Sequence, residues 1–530
     1  MSEKKSLIRA AGVVGGITLL SRMMGLIRDA FIAARLGAGY YSDCFNIAFE
    51  IPNLARRVLG EGSLSAFIVP VYSRVRKEES EETGWRFVSN AINTFTIVTL
   101  IMTLLGILFS KQLFMLFGGL KFYAKGENQY LNLGLSLTRI MFPYLMFLTI
   151  SSLLMGVLHT HRHFATPALG SVMLNLAIIL AALFCTGMAP NRFTFVLAWA
   201  VFLGGILRVA IMIPSLFFHG FRYTPLLKVT SPRLKALYRM MIPAMLGLAV
   251  VHINISVDSN FANFLGPGRV TYIRNANHLI QFPLALFATA IGTAILPQLT
   301  GFLLDHKKKH LQEMVSFAFR INIVIFVPAT MGYIAMGRPI VEMVLQRGLW
   351  TNDASQNTYF ALLFYSLGLL PLAFLKIITP LYFAREDVMT PFKIGMIALV
   401  SNIILNALFI LLTPLEHGGL ALASSLSAGI HFFLLYRKEK EAFGPVFSHQ
   451  VRQTFFRTLA ASVLMGLCAW GPYRLLLYIH PSERWIFNAL FTFCGIGTGI
   501  ASFLLWGKLL QIEELDQVKR LLFKRKASNI

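Results

Sequence analysis

Long apolar segments recur along the entire chain, and they constrain its fold more than any other feature. A membrane-crossing helix needs about 20 mostly apolar residues. Dividing the 530 residues at polar, charged and Gly/Pro-rich breaks gives fourteen segments of about this length or longer. They lie near residues 9–35, 41–73, 86–110, 129–158, 163–187, 192–218, 233–264, 270–303, 313–337, 356–384, 389–413, 418–436, 452–478 and 484–508. We therefore expect an all-α integral membrane protein with about 14 transmembrane helices.

Composition excludes the other broad classes of protein. Hydrophobic residues make up 56% of the chain and charged residues 14%, whereas soluble domains are about one quarter charged. The four cysteines are scattered, which excludes a secreted fold held by disulfides. The first segment follows several basic residues but precedes no small-residue cleavage site, so we expect a retained helix and not a signal peptide.

Positive charge is concentrated in alternate loops. The formal net charge is +24, and cytoplasmic loops of membrane proteins carry the excess Lys and Arg. One set of alternate loops is basic, and the other is poorer except at Lys111, Lys121 and Lys125. The basic set contains Arg74, Arg76, Lys77, Arg222, Lys228, Arg233, 307–309, Arg385, Lys393, Arg437, Lys438, Lys440 and 524–526. This bias predicts that both termini are cytoplasmic, and the surplus does not require a nucleic-acid partner.

An internal repeat of about 225–230 residues relates the two halves of the chain. Residues 36–39 (Leu-Gly-Ala-Gly) correspond to 265–268 (Leu-Gly-Pro-Gly), and a Thr-Pro pair followed by Asn175 corresponds to a Thr-Pro pair followed by Asn402. Six helices per half is an even number, so both halves enter the membrane from the same side and the repeat is parallel.

The predicted organisation has four parts. Residues 1–220 form an N-lobe of six helices, 221–445 a C-lobe of six helices, 446–510 two extra helices, and 511–530 a cytoplasmic tail. In the tail Leu515, Val518 and Leu522 recur at helical spacing beside a basic side, which predicts contact with the anionic inner leaflet.

Ionisable residues interrupt the first two segments, where each costs about 3 kcal/mol at bilayer depth and usually faces a watery cavity. They are Arg22, Arg28 and Asp29 in the first segment, and Asp43, Glu50, Arg56, Arg57 and Glu61 in the second. At 100° per residue, a polar stripe within about 40° of the helix surface is formed by Asp43, Glu50, Arg57 and Glu61. Pro52 is expected to kink this helix, which lets Arg56 rotate into the same cavity.

Two interpretations of this cluster are open. The charges can neutralise one another as structural ion pairs between helices. Alternatively they form a site for an anionic group, because a guanidinium stays charged and binds phosphate with two parallel hydrogen bonds. A pyrophosphate needs several such groups, which Arg22, Arg28 and Arg56 would supply. Asp29, Asp43 and Glu61 would then hold or tune them.

Polar residues are sparser in the second half. Asp258 lies in the seventh segment, and Asn402 and Asn406 are one turn apart in the eleventh. Their oxygens suit a hard cation, although an ion pair and interhelical hydrogen bonds explain them equally simply. Arg274, His278 and Lys376 are further cavity candidates. His159, His161 and His163 alternate in a predicted cytoplasmic loop, which we interpret as a solvated basic turn and not a metal site.

No catalytic motif accompanies these features. The chain contains no Walker loop, no HExxH, no GxSxG with partners and no paired-Cys motif. An enzyme acting on a polyprenyl phosphate would need clustered carboxylates, whereas the carboxylates here alternate with arginines. We therefore expect a transporter and not an enzyme, driven by an ion gradient or by the membrane potential.

Two motifs carry a family resemblance. Residues 21–29 (Ser-Arg-Met-Met-Gly-Leu-Ile-Arg-Asp) and 52–62 (Pro-Asn-Leu-Ala-Arg-Arg-Val-Leu-Gly-Glu-Gly), together with fourteen segments, resemble the bacterial MurJ/MviN family of lipid II flippases. The resemblance covers essentially the whole chain. It implies the fold of the multidrug/oligosaccharidyl-lipid/polysaccharide exporter superfamily, with two six-helix bundles around a central cavity and a lipid-tail groove at helices 13 and 14.

The resemblance also implies roles for individual residues. The family's cavity arginines correspond to Arg22, Arg28 and Arg56, its acidic positions to Asp29, Asp43 and Glu61, and its helix-10 lysine to Lys376. The family's helix-8 arginine is replaced by His278, and Arg274, one turn earlier, is the candidate substitute. A sodium site would correspond to Asp258, Asn402 and Asn406, with Ser424 as a weaker candidate.

The implied function is alternating-access transport of undecaprenyl-pyrophosphate-disaccharide-pentapeptide, lipid II, to the outer leaflet for peptidoglycan synthesis. The implied location is the bacterial cytoplasmic (inner) membrane. No cofactor is implied beyond Na⁺ as a coupling ion. The expected partners are lipid II and membrane lipids, with the cell-wall synthesis machinery as a further candidate. The protein is expected to be a monomer. The alternatives are a flippase for another polyprenyl-linked glycan and a cation-coupled drug exporter, although an arginine-rich cavity disfavours a cationic cargo.

Overall fold

Helices make up nearly all of the computed structural model, and no β-strand occurs in the part of the chain that it describes. That part is residues 3–55, 64–305, 307–385, 387, 389–480 and 485–515; side chains are described for these residues apart from 3–15, 18, 55, 66, 240, 242–253, 293–294, 296–297, 304 and 441–443. An all-helical backbone is the expected solution in lipid, because each helix satisfies its own N–H and C=O groups where water is absent.

The chain divides into two compact units. The first comprises residues 1–271 and the short segment Gly348–Trp350. Its helices are α1 (Glu3–Leu36), α2 (Tyr40–Ala55), α3 (Ser65–Glu78), α4 (Glu81–Leu108), α5 (Ser110–Phe114), α6 (Leu120–Ala124), α7 (Asn128–Met141), α8 (Tyr144–Thr160), α9 (Ala165–Phe184), α10 (Pro190–Ala210), α11 (Ile213–Phe218) and α12 (Pro232–Leu265). The first turn of α13 (Arg269–Pro283) also belongs to this unit.

The second unit comprises residues 272–347 and 351–530. It contains the rest of α13, then α14 (Thr289–Leu304), α15 (Lys308–Leu345), α16 (Asn352–Ser366), α17 (Leu369–Ala384), α18 (Met389–Leu412), α19 (Glu416–Phe443), α20 (His449–Ile479) and α21 (Trp485–Leu509). One of its apolar cores includes the stacked rings of Phe319 and Phe374, whose centroids are 4.4 Å apart.

Over the residues that the structure describes, each of the fourteen predicted segments coincides with one helix or with consecutive helices. Within the described residues, nine helices are long and apolar enough to cross a membrane, and the pair α16 and α17, bent by 46°, would be a tenth span. The number fourteen itself stays a prediction. Several remaining segments contain the intramembrane charges noted above, which lower their hydropathy.

The first unit extends about 50 residues beyond the predicted lobe boundary near residue 220. Both ends of α12 explain this difference. Leu234 and Leu237 are fully buried in the apolar core shared with α3, α4 and α8. Towards the other end of α12, Asn263 donates to the carbonyl oxygen of Gly118 at 2.7 Å, in the π-helical turn Met115–Gly119. Packing therefore assigns α12 to the first unit, whereas the duplication stays a prediction.

The beginning of the predicted tail is a protein contact. Leu515 is buried in an apolar cluster with Ile512 and Phe503, and a Cβ added at Gly507 would lie 2.2 Å from the Leu515 side chain. Glu514 is buried too and forms an ion pair with Arg320 of α15, at 2.8 Å. The expectation that Leu515 faces the membrane surface is therefore wrong, because this residue completes the core beside α21. Val518 and Leu522 lie outside the described residues.

Candidate substrate-binding site

Arg28 on α1 is the best-defined of the predicted cavity residues. Its Nε and one Nη both donate to Oδ1 of Asp29, at 2.9 and 2.7 Å, and its other Nη donates to Oδ1 of Asn175 on α9, at 3.1 Å. The side chains of Arg28 and Asp29 are each 13% exposed. Three of the five guanidinium N–H groups are thus engaged within the described structure, and two remain for another acceptor.

Asn175 links Arg28 to the packing of α1 against α9. The Asn175 amide nitrogen donates to the backbone carbonyl of Ser21 at 2.9 Å while its oxygen accepts from Arg28. Asn175 is therefore oriented from both ends, and it fixes the guanidinium plane in turn. The repeat had singled out Asn175, but its contact with Arg28 was not predicted, because the two residues are 147 positions apart in the sequence.

The structure describes only some of the other charged residues predicted for this half. Arg22 lies on α1 and is exposed. Arg56, Arg57 and Glu61 lie outside the described residues, so their predicted place in the polar stripe stays a prediction. Glu50 is half-buried on α2 and accepts a hydrogen bond from Asn53 at 3.3 Å.

Asp43 caps the beginning of α13. Its carboxylate accepts from the backbone N–H of Gly268 at 2.6 Å and from both the N–H and the hydroxyl of Thr271, at 2.9 and 2.6 Å. The first N–H groups of a helix have no partner within the helix, and a carboxylate there also faces the positive end of the helix dipole. In this structure Asp43 is a fully buried capping residue. Its role as a substrate contact stays a prediction.

A buried lysine lies close to this cap. Lys121 is 3% exposed, and its Nζ donates to the Tyr40 hydroxyl at 2.9 Å while lying 4.7 Å from the centre of the Tyr40 ring. Lys121 belongs to the one loop that departed from the charge bias. Its burial indicates a structural charge, and this explains why it does not obey a rule that describes solvated loops.

The predicted residues of the second half lie on α13 and α17. Arg274 and His278 are half-buried and one turn apart on α13, and each makes polar or ring contacts. Lys376 lies on α17 with its side chain exposed. Gly292 of α14 allows α17 to approach there, since a Cβ at this glycine would lie 2.7 Å from the carbonyl oxygen of Lys376.

Three of the four predicted sodium ligands come together in the second unit. Asn406 donates to Oδ1 of Asn402 at 2.9 Å, and Asn402 donates to the Ser424 hydroxyl at 3.3 Å, which joins α18 to α19. Both asparagines are fully buried. Asp258 is buried on α12 in the first unit. Within the described residues, no cluster of three or more His, Cys, Asp or Glu side chains suits a metal ion.

Two polar features were missed from the sequence. Arg208 on α10 is buried and donates from Nε to the hydroxyl of Ser151 on α8, at 2.9 Å. His161 stacks on Trp85 with ring centroids 5.1 Å apart and planes 3° apart, and its Nε2 lies 2.9 Å from the Tyr72 hydroxyl. The expected solvated turn is therefore wrong at His161, which is packed into an aromatic cluster.

The environment of His161 also changes its acidity. Burial first, and then the nearby charges of Arg76 and His219, together lower the pKa of this imidazole to about 4. His161 is therefore neutral near pH 7. A neutral ring is compatible with stacking on Trp85 and with the hydrogen bond to Tyr72.

Two solved structures share this fold. The structure resembles an inward-facing multidrug resistance MATE family transporter of the MOP superfamily, with a TM-score of 0.67 and 12% identity over 82% of this chain and 98% of the other. It also resembles a structure described as lipid II flippase MurJ in an inward closed conformation, with a TM-score of 0.75 and 24% identity over 95% and 99% of the two chains.

Sequence comparison assigns the chain to one family. The family model described as lipid II flippase MurJ matches residues 32–492. A probable lipid II flippase MurJ of Vibrio cholerae is 32% identical over 95% of this chain and 96% of its own length, and one of Haemophilus influenzae is 33% identical over 88% and 92%. The chain belongs to the MurJ lipid II flippase family, as its two motifs predicted.

Proposed function

We propose that this chain is a lipid II flippase, which moves undecaprenyl-pyrophosphate-disaccharide-pentapeptide from the inner to the outer leaflet by alternating access. Membership of the MurJ family supports this cargo. The two parts of this cargo prefer different environments. The polyprenyl chain is stable in lipid, whereas the charged headgroup needs a polar path.

The geometry of Arg28 carries the proposal at the level of residues. Asp29 and Asn175 hold the guanidinium in one plane, and two of its N–H groups have no acceptor among the residues that the structure describes. A guanidinium positioned in this way can bind an oxygen of a pyrophosphate without losing further rotamer freedom on binding. Arg28 therefore serves as the primary phosphate contact, and Asp29 and Asn175 serve as positioning residues.

Additional cations are proposed headgroup contacts. In the first unit they are Arg22 and Arg56, and in the second unit Arg274, His278 and Lys376 are candidates considered separately. A headgroup that binds such cations more tightly in one conformation than in another would shift the conformational equilibrium by that difference in affinity. Asp43 and Glu61 act by holding helix ends or neighbouring arginines.

The proposed energy source is the membrane potential or a sodium gradient. The potential contributes about 2.3 kcal/mol per charge per 100 mV. Asn402, Asn406 and Ser424 of the second unit offer neutral oxygens that suit Na⁺, and Asp258 of the first unit is considered separately as a candidate ligand. Cation binding there would favour the return to the inward-open state. The proposed setting is the bacterial inner membrane with both termini cytoplasmic, in agreement with the loop charges.

The test is depletion and rescue in a bacterium that lacks its own flippase, with outer-leaflet lipid II assayed directly. Wild type is expected to restore outer-leaflet lipid II, and Arg28→Ala is expected to lose this activity. Arg192→Ala removes an exposed arginine from the beginning of α10 and is the matched control. A well-expressed wild type that restores no lipid II would reassign the cargo to another glycolipid. Equal rescue by Arg28→Ala would retain the cargo and remove the arginine assignment.

A further inference from the structure

The π-helical turn Met115–Gly119 joins α5 to α6 and breaks the regular helical backbone between them. Gly118 has φ 139° and ψ −8°, which are not helical angles. Where a helix is broken in this way, its carbonyl groups can accept hydrogen bonds from side chains or water. In this turn the partners of the Leu116 and Gly118 carbonyls include side chains of α12, which packs against it in the first unit.

Asn260 of α12 bridges two backbone groups of this segment. Its amide nitrogen donates to the carbonyl oxygen of Leu116 at 2.6 Å, and its amide oxygen accepts from the backbone N–H of Leu120 at 3.4 Å. In a regular α-helix the N–H of residue 120 would donate directly to the carbonyl of residue 116. The Asn260 side chain therefore links the two groups that such a bond would join.

Two more side chains on the same face of α12 contact the turn. The Ser256 hydroxyl donates to the Leu116 carbonyl at 2.6 Å. The amide nitrogen of Asn263 donates to the Gly118 carbonyl at 2.7 Å, and both of these residues are buried. Residues 256, 260 and 263 recur at the spacing of a single helix face. The turn is therefore bonded to α12 at three successive positions of this face.

Asp258 is buried on the opposite side of the same part of α12. At about 100° per residue, residues 256, 260 and 263 are each roughly 140–160° from Asp258 around the helix axis. A rotation of α12 that breaks the bonds to the turn therefore also redirects the Asp258 carboxylate. The hydrogen bonds on one side of the helix thus fix the direction of the acidic side chain on the other.

We propose that Asn260 is a positioning residue, which together with Ser256 and Asn263 fixes the rotation of α12 and so holds the Asp258 carboxylate in the direction needed to bind a cation. The inference rests on the cation role proposed for Asp258 and adds the residues that orient it. The apparent affinity for a ligand falls with the fraction of protein in the binding-competent conformation. Loss of the bonds to the turn should therefore raise the Kd for Na⁺ and leave the number of bound ions unchanged.

The first test is equilibrium binding of radioactive Na⁺ to the purified full-length protein in detergent, with choline replacing Na⁺ to keep the ionic strength constant. Asp258→Asn is expected to abolish binding. Asn260→Leu is expected to raise the Kd about tenfold and Ser256→Ala about threefold, because they remove two hydrogen bonds and one hydrogen bond to the turn. Ser259→Ala is the matched control with an unchanged Kd, since this hydroxyl donates to the Ile255 carbonyl of α12 itself, at 2.8 Å.

Hydrogen exchange of residues 115–124, the turn and α6, tests the contact without reference to Na⁺. Exchange there is expected to be faster in Asn260→Leu than in wild type or Ser259→Ala, and wild-type exchange elsewhere shows that the variant is folded. Equal Kd values for wild type and Asn260→Leu would overturn the proposal, as would unchanged exchange at the turn. Equal Na⁺ binding by wild type and Asp258→Asn would instead remove the cation role of Asp258 from the proposed function, and the positioning role with it.

Discussion

Leu349 donates its backbone N–H to the carbonyl oxygen of Ala34, at 2.8 Å, although 315 positions separate the two residues. The contact joins the end of α1 to the segment Gly348–Trp350 within the first unit. Glycines occupy both sides of it, and both have positive φ angles, 61° at Gly37 and 57° at Gly348. The backbones approach so closely that neither position has room for a side chain.

Gly348→Ala is expected to destabilise the protein more than conformational strain alone explains. A Cβ at Gly348 would lie 2.3 Å from the Ala34 oxygen, a backbone atom that cannot move independently. Gly187→Ala is the matched control, because Gly187 has φ +81° but nothing within 4 Å of the added Cβ. Unfolding experiments in detergent should show that Gly348→Ala lowers the free energy of unfolding by about 2 kcal/mol or more beyond the decrease for Gly187→Ala. Equal decreases would mean that the contact with Ala34 adds nothing to the strain.

Asn175→Leu is expected to reduce lipid II transport about tenfold while leaving Arg28 in place. The substitution removes the acceptor that orients one Nη of Arg28, and a lost hydrogen bond to a charged group corresponds to roughly 1.5–3 kcal/mol. Asn90→Leu removes a buried amide of α4 that bonds Lys228 and not Arg28, and it reports on the effect of losing a buried amide. Rescue assays should show a larger loss of transport for Asn175→Leu than for Asn90→Leu. Equal losses in the two variants would contradict the positioning role.

Asp43→Ala is expected to destabilise the protein by about 2 kcal/mol. The substitution leaves the N–H groups of Gly268 and Thr271 without their acceptor, and the loss of a helix cap usually costs about 0.5–2 kcal/mol. Glu513→Ala, which removes an exposed carboxylate, should be neutral. The measurement is the unfolding midpoint in detergent. Asp43→Asn should recover part of the loss, since an amide oxygen still accepts one of these bonds.

Removing Glu514 is expected to destabilise the protein by about 3 kcal/mol, because Arg320 would keep its charge in a largely buried position without a partner. Arg320→Ala combined with Glu514→Ala should cost less than the sum of the two single changes. The exposed pair Arg86 and Glu82 provides a comparison, and its loss should cost no more than about 0.5 kcal/mol. Additive effects at Arg320 and Glu514 would rule out a significant coupling between them.

Stability is expected to decrease between about pH 6.5 and pH 4 through His161. The pKa of His161 is lowered to about 4 in the folded protein, whereas an unfolded histidine titrates near 6.5. In this window the unfolded state binds more protons, so stability falls as the pH falls, and above pH 6.5 the contribution is constant. His161→Gln should make stability depend less on pH. The decrease in unfolding temperature across this pH window should be smaller than in wild type by about 1–3 °C. His480→Gln, an exposed histidine, should leave the slope unchanged.

Hydropathy was sufficient to predict where the helices lie, because lipid requires each apolar segment to satisfy its own backbone. The family motifs predict Arg28 and Asp29 as site residues, and this assignment stays a prediction. Neither pattern could identify the partner of Arg28, since Asn175 reaches it only through the packing of α9 against α1.

The sequence predictions were wrong at positions where residues with a pattern typical of an exposed surface are buried in the fold. The alternating histidines read as a solvated turn, but Trp85 and Tyr72, which are distant in the sequence, enclose His161. Similarly, Leu515 has the spacing that is typical of a membrane-surface helix, but its side chain packs into the space beside Gly507. In both cases the deciding residues lie outside any local sequence window.

The contact between Arg28 and Asp29 bears on how the headgroup would be captured. A cation with its counter-ion at 2.7 Å forms a nearly neutral pair and projects little field beyond the first layer of water. Ionic strength should therefore have little effect on the rate at which a headgroup reaches Arg28. If Arg28 is the phosphate contact proposed here, its selectivity would come from contact geometry: it would recognise the shape of a phosphate after arrival and would not attract anions from a distance.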